Sequence, residues 1–210
     1  MRDAVLWLKK NSDRRLPWLI VGKGPTFSRH SEINLLNYHT LTLNHVIKHV
    51  PARLAHFTDI DALADCGSVI REPSSACVVV IPWVPHVNNQ PGRYDLRSWC
   101  SQLPLLEFLA QNDRLVSYNS TISRRRNKRL PLIRVRYFSA VAAVNILAEA
   151  GVKEIHTLGV DGGKIYSPEF AKQTLLSNGR TSFDIQFQEI ESSIKKYGLA
   201  YKPLFVRPGE

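Results

Sequence analysis

The chain has 210 residues, 44% hydrophobic and 22% charged, which excludes a disordered polymer and suits one α/β domain with a sizeable core. Its net charge of +10 favours anionic partners: nucleic acid, an anionic membrane surface or a phosphate-bearing small molecule. Cys66, Cys77 and Cys100 are too few and too scattered for a disulfide framework or a zinc site, and no stretch reaches the ~18 apolar residues of a membrane span.

Residues 1–15 carry charge throughout and hold no apolar run of signal-peptide length, so the expected location is the cytoplasm. Residues 2–11 read as a short amphipathic helix that Pro17 breaks. Trp18-Leu19-Ile20-Val21 has the pattern of a buried strand, closed by Gly22-Lys23-Gly24-Pro25, and Thr26 or Ser28 would cap the helix that follows. Thr40–Leu43 is a second strand ending at Asn44, and Arg53–Thr58 a third ending at Asp59, with a helical segment after it. Ala76–Ile81 is the strongest strand pattern in the chain. The three prolines and Asn88-Asn89 of 82–95 read as a long loop. A helix over 103–111 and a strand over Arg114–Tyr118 lead to the basic run Arg124–Arg129. Ser139–Ala150 is an alanine- and valine-rich helix with Gly151 as its C-terminal stop. Glu154–Gly159 is a strand running into Asp161-Gly162-Gly163. A helix over 183–197 and a strand over Tyr201–Val206 end the chain.

Strands alternating with helices imply a Rossmann-like α/β fold: a mostly parallel sheet with helices on both faces and an irregular insertion over about 82–135. The whole of 1–210 reads as a single nucleotide-binding domain, with 82–135 as an acceptor-side or lid insertion. In such folds ligands sit beyond the carboxyl ends of strands. The residues there are Gly22 to Thr26, Asn44, Asp59, the loop after Ile81, and Asp161 to Gly163. Gly22 and Gly24 let the backbone turn tightly beside a phosphate, and Lys23 adds a positive charge. Asp161, with Gly162 and Gly163, suits a ribose or sugar hydroxyl. The sequence supplies no cluster of carboxylates there for a metal. Tyr166 could hydrogen-bond a phosphate or sugar. His86, in the loop after the strongest strand, is the best-placed general base, with His45 second. The arginine run lacks interleaved aromatic residues and any recognised nucleic-acid module, so anionic glycan or lipid suits it better than nucleic acid.

Four motifs in order bring a resemblance: Gly22-Lys23-Gly24-Pro25-Thr26, then Asn44, then Ser139-Ala140 opening a helix, then Gly159-Val160-Asp161. Over most of 17–206, though poorly over 60–135, the chain resembles the bacterial sialyltransferases of glycosyltransferase family 42. It also resembles the related DUF115 and 6-hydroxymethylpterin pyrophosphokinase (MptE-like) proteins. The resemblance implies a glycosyltransferase that binds a CMP-sugar as substrate, with no metal or other cofactor. Gly22, Gly24, Pro25, Thr26, Asn44, Ser139 and Asp161 would line the nucleotide pocket. The acceptor would be a hydroxyl of an anionic surface glycan or lipopolysaccharide precursor, and the basic run Arg124–Arg129 could hold such an enzyme peripherally on the inner leaflet. Related transferases often self-associate, which implies a homo-oligomer. The family places a glycine-histidine step before its last helix and takes the histidine as general base. The matching residues here are Gly179-Arg180. Arg180 would then neutralise the leaving phosphate, and His86 would serve as base. The rival readings are an MptE-like pyrophosphokinase using ATP and Mg²⁺, and a non-catalytic basic binding module on the same frame.

Overall fold

The apolar run Trp18–Val21 divides its side chains between two layers. Trp18 and Ile20 enter one core, Leu19 and Val21 another, as the two-residue period of a strand demands. A sheet buried on both faces follows from that pattern. The computed structural model describes residues 1–13, 15–136, 138–173 and 182–206.

In chain order the elements are β1 (Arg2–Asp3), α1 (Ala4–Asn11), β2 (Trp18–Val21), β3 (His39–Leu43), β4 (Leu54–His56), α2 (Ile60–Asp65), α3 (Gly67–Arg71) and β5 (Val78–Pro82). Then come α4 (Leu96–Cys100), α5 (Pro104–Gln111), β6 (Leu115–Ser120), β7 (Leu132–Ile133), α6 (Ser139–Glu149), β8 (Glu154–Leu158), α7 (Ile185–Tyr197) and β9 (Ala200–Pro203). Among the described residues the strands form one sheet in the order β1-β6-β5-β4-β3-β2-β8-β9, with β7 beside the end of β6, and every pairing is parallel. The chain winds outward from β2 through β3, β4, β5 and β6, then returns to place β8 on the opposite side of β2. The carboxyl end of β2 is therefore the point where strand order reverses, the usual ligand crevice of such sheets.

Helices α1, α6 and α7 cover one face, with α6 pressed between the sheet and α7. Residues 140–148 of α6 are all buried, which explains its lack of a polar stripe. Its one buried amide, Asn145, donates to the Arg134 carbonyl at 2.6 Å and accepts from Ser193 Oγ at 2.6 Å. Helices α2, α3, α4 and α5 cover the other face over Phe57, Val79, Ile81 and Leu115. No described helix is long and apolar enough to cross a membrane.

Several expected boundaries move. The third strand is Leu54–His56 rather than Arg53–Thr58, and the last is Ala200–Pro203, where the proline ring stops the ladder. The segment 82–135 is irregular over 83–95 and then contributes α4, α5 and β6, so part of it belongs to the sheet and its helical cover. The helix after the glycine turn is a 3-10 helix, Pro25–Glu32. Neither Thr26 nor Ser28 caps it. Gly24 holds the N-cap position, because the Thr26 hydroxyl is engaged by Asp161 and the Ser28 hydroxyl donates back to the Pro25 carbonyl. Gly151, at φ +89, takes the left-handed position just beyond α6, as expected of a helix-stopping glycine.

Candidate active site

A cavity of about 460 Å³ opens at the carboxyl ends of β2, β3, β4 and β8, within the size range of small-molecule sites. Its floor is the Gly22-Lys23-Gly24 turn. Asn44 and His45 close one side, Ser139 and Ala140 at the start of α6 another, and His86 with Asn88 and Asn89 a third.

The turn is built by close backbone approach. Gly22 donates its N–H to the Leu158 carbonyl and Gly24 donates to the Gly159 carbonyl, each at 2.8 Å. A Cβ on Gly22 would collide with the Gly159 carbonyl, and one on Gly24 would stand 2.7 Å from Asp161 Oδ2. These glycines serve close contact with the end of β8, and their N–H groups donate inside the protein. Pro25 and Thr26 lie behind the turn, outside the cavity wall, and Thr26 is buried. Asp161 also differs from expectation: its carboxylate accepts from the N–H and the hydroxyl of Thr26, each at 2.6 Å. Its edge still reaches the cavity wall, but its bonding secures the turn. Gly162 lines the cavity. Gly163 does not, and its N–H donates to Asp184 Oδ1 at 2.8 Å, fixing the approach to α7.

Among the described residues, Lys23 is the one lysine or arginine that lines the cavity. Its Nζ donates to Gln173 Oε1 at 2.8 Å and stands 4.2 Å from the centre of the Tyr166 ring. Burial pulls its pKa down to about 8, so an incoming anion would restore the charge that desolvation opposes. Tyr166 stacks on Phe183, which packs against Phe138, giving the cavity one aromatic wall. Burial pushes the Tyr166 hydroxyl up to about 12, which keeps it a neutral hydrogen-bond donor.

A polar chain crosses the opposite side. Ser139 Oγ lies 2.8 Å from Thr58 Oγ1 and accepts from Asn44 Nδ2 at 3.4 Å. Asn44 is held at φ +51, and its Oδ1 is buried with no partner among the described residues. The start of α6 has no side-chain cap, so its first N–H groups, with Ser139 Oγ, form the anion-ready end of an eleven-residue helix facing the cavity. A group of N–H donors suited to an anion thus borders the cavity at the start of α6.

His86 stands where the 83–95 loop meets Asp59. Its N–H donates to the Thr58 carbonyl at 2.8 Å, and its own carbonyl accepts from Ile60 at 2.9 Å. Asp59 Oδ2 accepts from the Asn89 N–H at 2.6 Å and Asp61 Oδ2 from the Asn88 N–H at 2.7 Å, so two carboxylates clamp the loop that carries the histidine. Burial lowers the His86 pKa, leaving a neutral ring at neutral pH, and raises that of Asp59. His45 is bound to Asp65 at 3.1 Å, and burial lowers its pKa as well. Arg180, with the rest of 174–181, lies outside the described residues.

Sequence reasoning missed Thr58, Asp61, Asp65, Phe138, Gln173 and Phe183, all of which border the cavity or hold a residue that does. Asp61 and Asp65 were detectable as an i, i+4 pair on the helix after Asp59. Gln173 gave no signal, because its partner Lys23 is 150 positions away. The carboxylates near the cavity are more numerous than expected, yet among the described residues no group of three or more metal-ligating side chains is arranged for an ion.

No protein-family model matches the sequence, and no curated protein matches it by sequence comparison. Solved structures do match by shape. The Campylobacter jejuni sialyltransferase CstII, in complex with the substrate analogue CMP-3FNeuAc, is 12% identical with a TM-score of 0.53, covering 90% of this chain and 81% of that one. The monofunctional α-2,3-sialyltransferase Cst-I of the same organism is 12% identical with a TM-score of 0.55, over 92% of this chain and 77% of that one. The chain has the sialyltransferase fold. A further CST-II structure, in complex with a trisaccharide acceptor and CMP, is 11% identical with a TM-score of 0.55, over 89% and 80% of the two chains.

Proposed function

We propose that this chain is a cytoplasmic glycosyltransferase. It would move a sugar from a nucleotide-activated donor, CMP-linked, to a hydroxyl of an anionic surface glycan or lipopolysaccharide precursor. The observation that carries the reading is a cavity at the strand-order reversal, bounded by Lys23 and by the uncapped start of α6, on a fold shared with sialyltransferases solved with CMP.

In this reading the bond between the anomeric carbon and the phosphate oxygen breaks, and the acceptor oxygen forms the new bond to that carbon. The CMP leaves with the bonding electron pair. Lys23, Ser139 Oγ and the α6 N–H groups meet its charge, with Arg180 as a further cation, so charge neutralisation needs no metal. His86, neutral because it is buried, accepts the acceptor hydroxyl's proton. The Phe138–Phe183–Tyr166 wall supplies an aromatic surface for a ring of the donor.

Titration of the protein with CMP tests the reading directly. Binding in the micromolar to low millimolar range is expected, weakened in Lys23→Met and Ser139→Ala variants. No binding at millimolar CMP removes the proposal. Asp59, Asp61 and Asp65 on the cavity wall favour a second reading, an MptE-like pyrophosphokinase using ATP and Mg²⁺. Tighter binding of ATP with Mg²⁺ than of CMP would select it.

A further inference from the structure

Seven cations and no carboxylate occupy residues 121–136, and removing those seven from the net charge of +10 leaves +3 for the rest of the chain. The turn that carries most of them follows β6, so it leaves the sheet at its carboxyl edge, the edge that bears the cavity. Arg124, Arg125, Arg126, Lys128 and Arg129 are exposed, and none makes an ion pair among the described residues. Arg125 Nη1 donates to the Arg93 carbonyl at 2.9 Å. That bond ties the basic turn to the 83–95 loop, whose His86, Asn88 and Asn89 line the cavity. Asp95, the carboxylate of the neighbouring stretch, is spent capping α4.

Apolar side chains stand among these cations. Tyr94 is 55% exposed, Ile122 41% and Leu132 46%. A turn that only needs solvation has no use for them. A single-stranded nucleic acid would use several aromatic faces as stacking platforms, and only one ring of this group is so exposed. Cations mixed with aromatic and aliphatic side chains fit the lipid–water interface, where the charges meet anionic headgroups and the apolar groups enter the acyl boundary.

We propose that the loops carrying Arg93–Tyr94 and Ile122–Leu132 form one face that docks on an anionic bilayer, placing the cavity beside the headgroups. The docking requires no nucleotide and no turnover, so it stands or falls separately from the donor reading. Where that reading holds, the face brings the enzyme to a lipid-linked acceptor.

Sedimentation of the full chain with phosphatidylcholine vesicles, with and without phosphatidylglycerol, tests it. Binding is expected only to the anionic vesicles, and it weakens as salt rises. The R124E/R125E/R126E variant lowers the partition coefficient by at least about tenfold. K9E/K10E/K195E changes net charge equally at exposed sites on other elements and lowers it far less. I122S/L132S weakens binding while keeping the salt dependence, a result that misfolding of the arginine variant cannot imitate. Three results would overturn the proposal: no binding to anionic vesicles at low salt, equal losses in the two charge-reversal variants, or displacement of the vesicles by RNA at matched charge.

Discussion

Thr26 and Asp161 are 135 positions apart and joined by two hydrogen bonds of 2.6 Å, one from the Thr26 N–H and one from its hydroxyl. The same hydroxyl accepts from the Gly159 N–H at 2.9 Å. One threonine thereby fixes the glycine turn after β2 to the loop after β8, across the strand-order reversal.

Thr26→Val is nearly isosteric and removes the hydroxyl, which leaves the buried Gly159 N–H without its acceptor and half of the Asp161 contact unmade. The expected loss is about 1–3 kcal/mol of stability, the cost of stranding a buried polar group. Thr26→Ser keeps both bonds and should lose much less. Urea midpoints of the three proteins check this. Equal midpoints for the wild type and Thr26→Val would show that the latch is not stabilising.

Lys23 gives a pH dependence with a definite sign. Its folded pKa is lowered to about 8, below its ordinary value of 10.5. Between those values the unfolded chain holds a proton that the folded chain has lost, so stability rises with pH across that window. Anion binding runs the other way, because the cation is present below about pH 8 and lost above it. CMP affinity should therefore fall between pH 7 and pH 9, and the Lys23→Met variant should lose that dependence. Calorimetric titration at the two pH values separates these outcomes.

Much of this was legible in the chain. The β2 pattern, the ends of β3 and β8, and the α6 helix with its glycine stop all lie where local periodicity and turn residues place them. The cavity's location followed from strand ends alone. What local sequence could not show was which groups a residue would face. Gly22 and Gly24 carried the signature of a phosphate turn and Asp161 that of a ribose or sugar contact, and the structure shows all three also bonded across the turn between the ends of β2 and β8. The anion-ready groups are at α6, whose uncapped start has no motif of its own. The strand expected over Arg114–Tyr118 is β6, but its place beside β5 was not legible, because the 83–95 loop and the helices α4 and α5 separate the two in sequence.

Asn88 and Asn89 sit at φ +48 and +59, a left-handed pair held by N–H donation to Asp61 and Asp59. Asparagine tolerates this region better than most residues, and glycine tolerates it freely. Replacing both by alanine should destabilise the protein by about 1–2 kcal/mol per position, whereas glycine at both should cost less. Proteolytic sensitivity of the 83–95 loop should follow the same order, since the alanine variant loses the conformation that both carboxylates clamp.

His86 offers the sharpest separation of binding from chemistry. It borders the cavity without being one of the groups at the phosphate end, so His86→Gln should leave CMP affinity within about twofold while lowering kcat by about 10²–10⁴, the usual worth of a general base. Burial lowers its folded pKa, so the ring is neutral and able to accept a proton over the neutral range. Wild-type turnover should then fall as pH drops through that lowered value, and the residual turnover of His86→Gln should lack this acid limb. His45, also lowered by burial but tied to Asp65, supplies the control. If His45→Gln abolishes the acid limb and His86→Gln retains it, the proton goes to His45 instead, and the clamp of Asp59 and Asp61 on the 86–89 loop serves only to shape the cavity wall.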